Sequence, residues 1–420
     1  MKKKFYFVCK YADFPMKEVF MKKSLCKFFC ILSAVLCFSS CSKNSKPKNS
    51  IIVSFYNVDS VNKETLKKIM GETAEQQKIK ISFNDVNQLP SSTKSKVKSD
   101  IVITSAGYSL NQILEFKQEK SALSQEITDG LFQSMKDSVV YKDNDIQALP
   151  LFFDNIEINI EKAEYKSSKM KGINSWSDIE DFCKIQKKKT DYPVAFAGAE
   201  PVLMLDVLGA FAEGLDGYDA YLKAVDVLNS ADKQTFDGLN IARKLLVATD
   251  APLKNTFAFM NNLFKQGYMN PAATKFINRD VNSFAQARRV NVFFTNLSSH
   301  RKMEDKTVER YSSIYVPSKS NASNRHFSAN ITYAVPMNSN ETVQNVLADM
   351  LSVKKQEELS NATGLAPVLA ICKTPDQQSD DARYWIAATE APLAGLGHEV
   401  EFTVEQLIQL AEAICGLMSH

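Results

Sequence analysis

Hydrolytic, metal and group-transfer chemistry needs nucleophiles, bases or ligands at particular spacings, and this chain supplies few. His300, His326, His398 and His420 are its four histidines and stand far apart. There is no His-Glu-x-x-His, Cys-x-x-Cys or Gly-x-Ser-x-Gly sequence and no phosphate-binding glycine loop. Ser91-Ser92-Thr93-Lys94 and Ser352-Val353-Lys354-Lys355 spell Ser-x-x-Lys, but the Ser-Asp-Asn and Lys-Thr-Gly elements that make such a serine reactive are missing. The reading is of a protein that is not an enzyme and has no cofactor or metal. The remaining chemistry is recognition. Tyr, Phe, Asp, Asn, Ser and Thr stand together where apolar runs end, and such groups grip a polar solute by stacking and hydrogen bonding.

Cys41 is the exception, because its setting is covalent chemistry of another kind. Met21-Lys22-Lys23 precedes the apolar run Phe28–Phe38, 11 residues long, and Ser39-Ser40-Cys41 follows. The run is shorter than the ~20 residues a membrane-spanning helix needs, so it reads as an export signal over residues 1–40, with Met21 as the better start. The segment resembles a lipobox, with Phe38 where Leu, Val or Ile is usual. The resemblance implies that Cys41 is acylated and becomes the mature N-terminus. Acyl chains contribute ~0.8 kcal/mol per buried CH₂, so two or three hold a soluble domain at a membrane. The polar stretch Ser42–Ser50 reads as a tether, giving residues 41–50 as a lipidated linker. An ordinary cleaved signal with an incidental cysteine is the other reading.

The formal charge of +3 belongs to the leader, which carries eight Lys against two acidic residues. The remainder is slightly acidic, which gives no electrostatic reason to expect nucleic acid. Cys9, Cys26, Cys30 and Cys37 leave with the leader. Cys183, Cys372 and Cys415 remain, too few and scattered for a disulfide framework, although one pair could form in an oxidising compartment.

The positioning elements follow in order. Ile51–Tyr56, Lys80–Phe83 and Asp100–Thr104 read as strands, with a helix over Val61–Gln77, so βαβ units and a parallel sheet covered on both faces are expected. Ala148–Phe153 leads into Asn155–Ile160, whose strict alternation predicts a half-exposed strand. Ser177 with Glu180 reads as a capping box opening a helix after Trp176. Residues 201–267 hold three or four helices. Strands return at Val290–Thr295, Ser313–Val316 and Ile331–Val335. Helices follow over Thr342–Ser352 and Lys354–Thr363, the second stopping at Gly364. A last helix is capped by Thr403 with Gln406 and ended by Gly416.

The order of motifs resembles the family 1 extracellular solute-binding proteins, which serve mostly sugar-uptake ABC transporters. Four segments carry it: Ser99–Ile103 with the loop Thr104–Tyr108; Ala148-Leu149-Pro150 with the run to Asn159; Gly172–Asp178 around Trp176; and Gln356–Pro367 with its Gly364-Leu365-Ala366-Pro367. Val292–Leu297 departs from the family in lacking the Gly and Trp often found after the late strand. The resemblance implies an α/β, two-lobed, periplasmic-binding-protein-like (type II) fold. Crossover hinge strands are expected at Phe152–Ile158 and Asn330–Pro336, with a third passage within Cys372–Tyr384. Lobe one is then residues 50–152 plus 336–375, and lobe two 153–335 plus 376–420.

In such a fold the cleft is built from the carboxyl ends of strands. The nominees are Phe55, Tyr56, Ser105, Tyr108, Phe153, Asp154, Phe196, Glu200, Thr295, Asn296 and Tyr333. Phe55, Phe153 and Phe196 equally suit a core; Asp154 suits a hydroxyl or a turn; Glu200 suits the first turn of the helix that Pro201 begins; Trp176 is expected to pack. The implied function is a monomeric, lipid-anchored receptor on the periplasmic or extracellular face of the cell membrane. It would deliver a small solute, by the resemblance a sugar or oligosaccharide, to an ABC permease. The alternative is a non-transport lipoprotein of the same fold used in adhesion or signalling.

Overall fold

The computed structural model describes residues 49–93, 95–318 and 325–418. The expected signal peptide, Cys41 and nearly all of the expected tether lie outside them. Among the described residues ten strands form one sheet. They are β1 Ser50–Tyr56, β2 Lys80–Asp85, β3 Ile101–Ser105, β4 Val140–Lys142, β5 Asp145–Glu161, β6 Val194–Phe196, β7 Val292–Asn296, β8 Tyr311–Ile314, β9 His326–Pro336 and β10 Ala391–Leu393. The order is β2-β1-β3-β9-β5-β7-β6, with β4 and β8 on β5 and β10 on β9. β1 pairs in parallel with β2 and β3, and β6 with β7, whereas β9 runs antiparallel to β3 and β5, and β5 to β7. The expected parallel units therefore exist but belong to a mixed sheet, because the two strands that cross between its halves run against their neighbours.

β5 is 17 residues long and joins the halves. Its first part, Leu149–Asn155, pairs with β9, and its second, Ile156–Ile160, with β7. Pro150 has no N–H to donate, and the register with β9 slips between Pro150 and Phe152. Two separate apolar clusters result. One gathers Ile51, Val53, Ile101–Ile103, Leu149, Phe152 and Val346; the other gathers Ile158, Phe196, Leu208, Phe211, Phe294 and Ile414. Ala382 and Ile386, from the helix Gln377–Ala387, pack in the first cluster, while Leu393 and Leu396 pack in the second. The third passage thus lies beyond Tyr384, later than Cys372–Tyr384, because the apolar face of that helix completes the first core.

Asn155–Ile160 is buried on both faces, not half-exposed. Asn155, Glu157 and Asn159 are fully covered. Their polar face meets other side chains: Glu157 Oε2 lies 3.1 Å from His300 Nδ1, and Ser313 Oγ donates to Asn159 Oδ1 at 3.2 Å. Alternation marked two chemically different faces, and both turned out to be interior.

The helix at the end of the Gly172–Asp178 loop begins at Trp176, one residue before the expected cap Ser177. Ser175 is the N-cap, and Asp178 closes the box by accepting from Ser175 N at 2.9 Å. Trp176 packs edge-on against Phe211 and Phe259, with centroids 4.9 and 4.8 Å away. The Thr403–Gln406 box forms as expected, but its helix runs Val404–Met418, through Gly416. Gly364 ends its helix in the left-handed region at φ 71°. Cys183, Cys372 and Cys415 are buried.

Candidate ligand-binding site

Between the two clusters the carboxyl ends of β1, β3 and β7 converge on the crossover strands, as the rule for open α/β sheets requires. Two cavities lie there, of ≈ 400 and ≈ 420 Å³, and share Asn57, Ser105, Val202 and His398. The first is lined mostly by residues with polar side chains, with Pro201, Val202 and Leu203 among them. Asp59 comes from the turn after β1, Asp154 and Asn330 from the crossovers, Asn296 and Ser298 from the end of β7, and Glu200 and Asp206 from the start of the helix Pro201–Leu215. The second is walled by Tyr56, Tyr108, Phe402 and Leu407, with Gln112 and Glu401 among its polar groups.

Each wall is preset by hydrogen bonds. Gln112 joins the two tyrosines, accepting from Tyr56 Oη at 2.5 Å and donating to Tyr108 Oη at 2.6 Å. Burial is the largest cause raising both phenol pKa values, and at Tyr108 the neighbouring Glu401 adds to it, so both rings stay neutral. Ser105 Oγ donates to Asn57 O at 2.7 Å. Asp154 accepts from Ser298 N at 3.0 Å, Ser298 Oγ at 2.6 Å and Asn296 Nδ2 at 2.6 Å. Burial still prevails over those donors and pushes its carboxyl up to about 6. Asp206, buried, accepts from Asn330 Nδ2 at 3.0 Å and Gly397 N at 2.9 Å, and burial raises its pKa as well.

The segment 393–402 lies across both cavities. Leu393, Leu396 and Val400 root it in the second cluster, and Tyr221 Oη donates to Ala394 O at 2.5 Å. On the other side His398 O accepts from Tyr108 N at 2.8 Å, beside the first cluster's β3. Two glycines allow this. Gly107 has φ 78°, and a Cβ there would sit 2.4 Å from His398 O; a Cβ on Gly395 would sit 2.0 Å from Asp206 Oδ1. This strap thus fastens one half of the molecule to the other beside the site.

Of the nominated residues, the structure brings Tyr56, Ser105, Tyr108, Asp154, Glu200 and Asn296 to the cavities. Glu200 is the N-cap position of its helix but does not cap it; its Oε1 accepts from Asn278 N at 3.3 Å across the cavity wall. Phe55, Phe153, Phe196 and Tyr333 are core residues. Phe55 meets Phe83, Phe153 meets Phe132, Phe196 meets Phe294, and Tyr333 Oη donates to Ser138 O at 3.1 Å. Thr295 is buried and lines neither cavity, because strand alternation turns it away when Asn296 faces in. Sequence reasoning missed Asn57, Asp206, Asn330 and the whole 397–402 strap. Asn330 could have been found, since it is a polar residue that opens the expected crossover; the strap carries no local signal.

Among the described residues no group of three or more His, Cys, Asp or Glu is placed to hold a metal, and no helix is long and apolar enough to cross a membrane.

No protein-family profile matches this chain, and no curated protein matches it by sequence. Solved structures do match in shape. The bacterial solute receptor AcbH, described with an exclusive preference for β-D-galactopyranose, aligns at TM-score 0.65 with 12% identity over 87% of this chain and 96% of its own. The receptor RafE, solved with raffinose, aligns at 0.59 with 12% identity over 88% and 100%. A chitin oligosaccharide binding protein aligns at 0.59 with 12% identity over 88% and 98%. The chain therefore has the two-lobed, type II periplasmic-binding fold.

Proposed function

We propose that this protein is an extracytoplasmic solute receptor that takes a sugar or oligosaccharide into the cleft, is anchored through acylated Cys41, and presents its ligand to an ABC permease. The observation that carries the reading is the cleft itself: a hydroxyl-matching chamber of Asp154, Asp206, Asn296 and Asn330 opening beside an aromatic chamber of Tyr56, Tyr108 and Phe402. Stacking faces next to dense hydrogen-bonding groups suit a pyranose, which has C–H faces and a hydroxyl rim. The saccharide ligands named for the structural neighbours support it. Phe and Tyr take the part that Trp often plays in the family this chain resembles.

The lobes divide at the two apolar clusters, with β5, β9 and the segment before β10 as hinges. Ligand contacts made from both sides favour the closed form, so closure is a shift of population driven by differential affinity. A thermal-shift screen of residues 43–420 against saccharides, polyamines, amino acids and short peptides tests the reading. A ligand at 100 times its Kd adds ~2.7 kcal/mol of stability, a clear rise in melting temperature. Stabilisation by a saccharide is expected; a folded protein that responds to none would shift the reading to a non-transport lipoprotein. The anchor is tested separately. Cys41→Ser should release the protein from the membrane fraction, and retention there would refute acylation at this residue.

A further inference from the structure

β6 and β7 run parallel, so the end of the second sheet that points away from the cleft is also shared by both. Val194 and Val290, at that far end, line a separate cavity of ≈ 350 Å³. Its wall is aromatic, with Tyr192, Phe276 and Phe284, the last two rings 5.0 Å apart. Its rim is basic, with Lys189, Arg288 and Arg289 against Asp191. Lys189 is taken by Glu164 at 2.6 Å. Arg288 and Arg289 are exposed, and among the described residues neither guanidinium has a hydrogen bond or ion pair.

The helix before the two arginines fixes their backbone. They follow the helix Asn278–Gln286, whose last turn closes through Arg288 N to Ala285 O at 3.1 Å and Arg289 N to Phe284 O at 2.9 Å. Arg288 sits in the left-handed region at φ 56°, where glycine or asparagine is usual. A cation after a helix C-terminus gains from the dipole, and that would explain one arginine at any nearby position. Lys78 and Lys169 hold the same left-handed backbone, at φ 56° and 60°, so that conformation alone does not mark a site; two guanidiniums without partners beside an aromatic-walled cavity do.

We propose that this cavity is a second binding site, separate from the cleft, for a small sugar ring that carries a carboxylate or a phosphate. The ring lies on Tyr192, Phe276 and Phe284, and the anion is forked by Arg288 and Arg289, the pairing that guanidinium geometry favours. The proposal uses no cleft residue, so it stands or falls apart from the reading of the cleft.

The test is calorimetric titration of the full chain at low salt with D-glucuronate, D-glucose 6-phosphate, D-glucose and inorganic phosphate, repeated on Arg288→Gly and on Arg288→Gly/Arg289→Ser. The expected result is that one of the two anionic sugars binds at least about tenfold tighter than both D-glucose and inorganic phosphate. The double variant should lose that binding by about tenfold or more. Arg288→Gly relieves the left-handed backbone, so it should melt no lower than the parent while binding more weakly. Equal binding of D-glucose would remove the role of the anion, and equal binding of inorganic phosphate the role of the ring. Unchanged affinity in the double variant would place the ligand elsewhere. No binding by either anionic sugar, or weakened binding only in a variant that has lost its fold, would overturn the proposal outright.

Discussion

Asp154 ties the cleft to pH. Its carboxyl pKa is raised from 3.8 to about 6, chiefly by burial, with Ser298 and Asn296 donating to it and Glu157 nearby raising it further. The folded state thus holds this proton more tightly than the unfolded chain. The stabilisation is fully present below about pH 4 and is lost as pH rises through about 6. Two pKa units at ~1.36 kcal/mol each set an upper bound of about 3 kcal/mol. Asp154 also lines a cavity open to solvent, so about 1–3 kcal/mol is expected. Asp206, Glu213 and Glu399 are raised in the same direction, so wild-type data alone would not isolate Asp154. The experiment compares urea unfolding of wild type and Asp154→Asn from pH 4 to pH 7. Asparagine cannot titrate, so the stability of wild type relative to the variant should fall by that amount across the interval. A difference that stays flat, or grows with pH, would refute the reasoning, since it would mean that the three donors outweigh burial and keep the carboxylate charged.

Three further outcomes follow from the packing. Gly107→Ala combines a backbone strain of ~1–3 kcal/mol with the loss of the Tyr108 N to His398 O bond, so about 2–4 kcal/mol of destabilisation is expected in urea; less than about 0.5 would mean that the strap yields freely. Gln356 is fully buried, donates to Leu151 O and Met350 O at 3.0 Å each, and accepts from Val368 N at 3.1 Å. Gln356→Leu leaves those three backbone groups unpaired and should cost about 3 kcal/mol or more, read by the same method. Trp176→Ala removes a ring wedged between Phe211 and Phe259 and should cost about 3–5 kcal/mol; a loss below about 1 would show that the ring adds little to what Ile179, Phe182 and Cys183 already bury.

Much of the architecture was written in local pattern. The run Ser50–Tyr56, the helix Ser60–Gln76 and the capped last helix could be placed because their apolar periods and caps are local properties. What was not legible depended on distant partners. Glu157 and Asn159 look like the wet face of a strand until His300 and Ser313, each more than a hundred residues later, meet them. The same limit divides the candidate site. Tyr56, Ser105 and Asn296 end strands, and strand ends are readable, so they were found. Asp206 sits within an apolar helix and is recruited by Asn330 and Gly397, neither near it in sequence. Phe55 and Phe196 show the converse, since a strand end also holds the last core residue, and one residue of register decides which side it faces.

The claim that the cleft takes a saccharide is tested most directly by calorimetric titration of a panel of mono- and oligosaccharides into wild type, Tyr108→Ala and Asp206→Asn in parallel. Tyr108 stands in the aromatic chamber and Asp206 in the polar one. The predicted result is a saccharide that binds wild type and loses at least about tenfold in affinity, ~1.4 kcal/mol, in each variant while both remain folded. A saccharide whose affinity is the same in all three proteins, or a panel in which none binds folded wild type, would contradict the account.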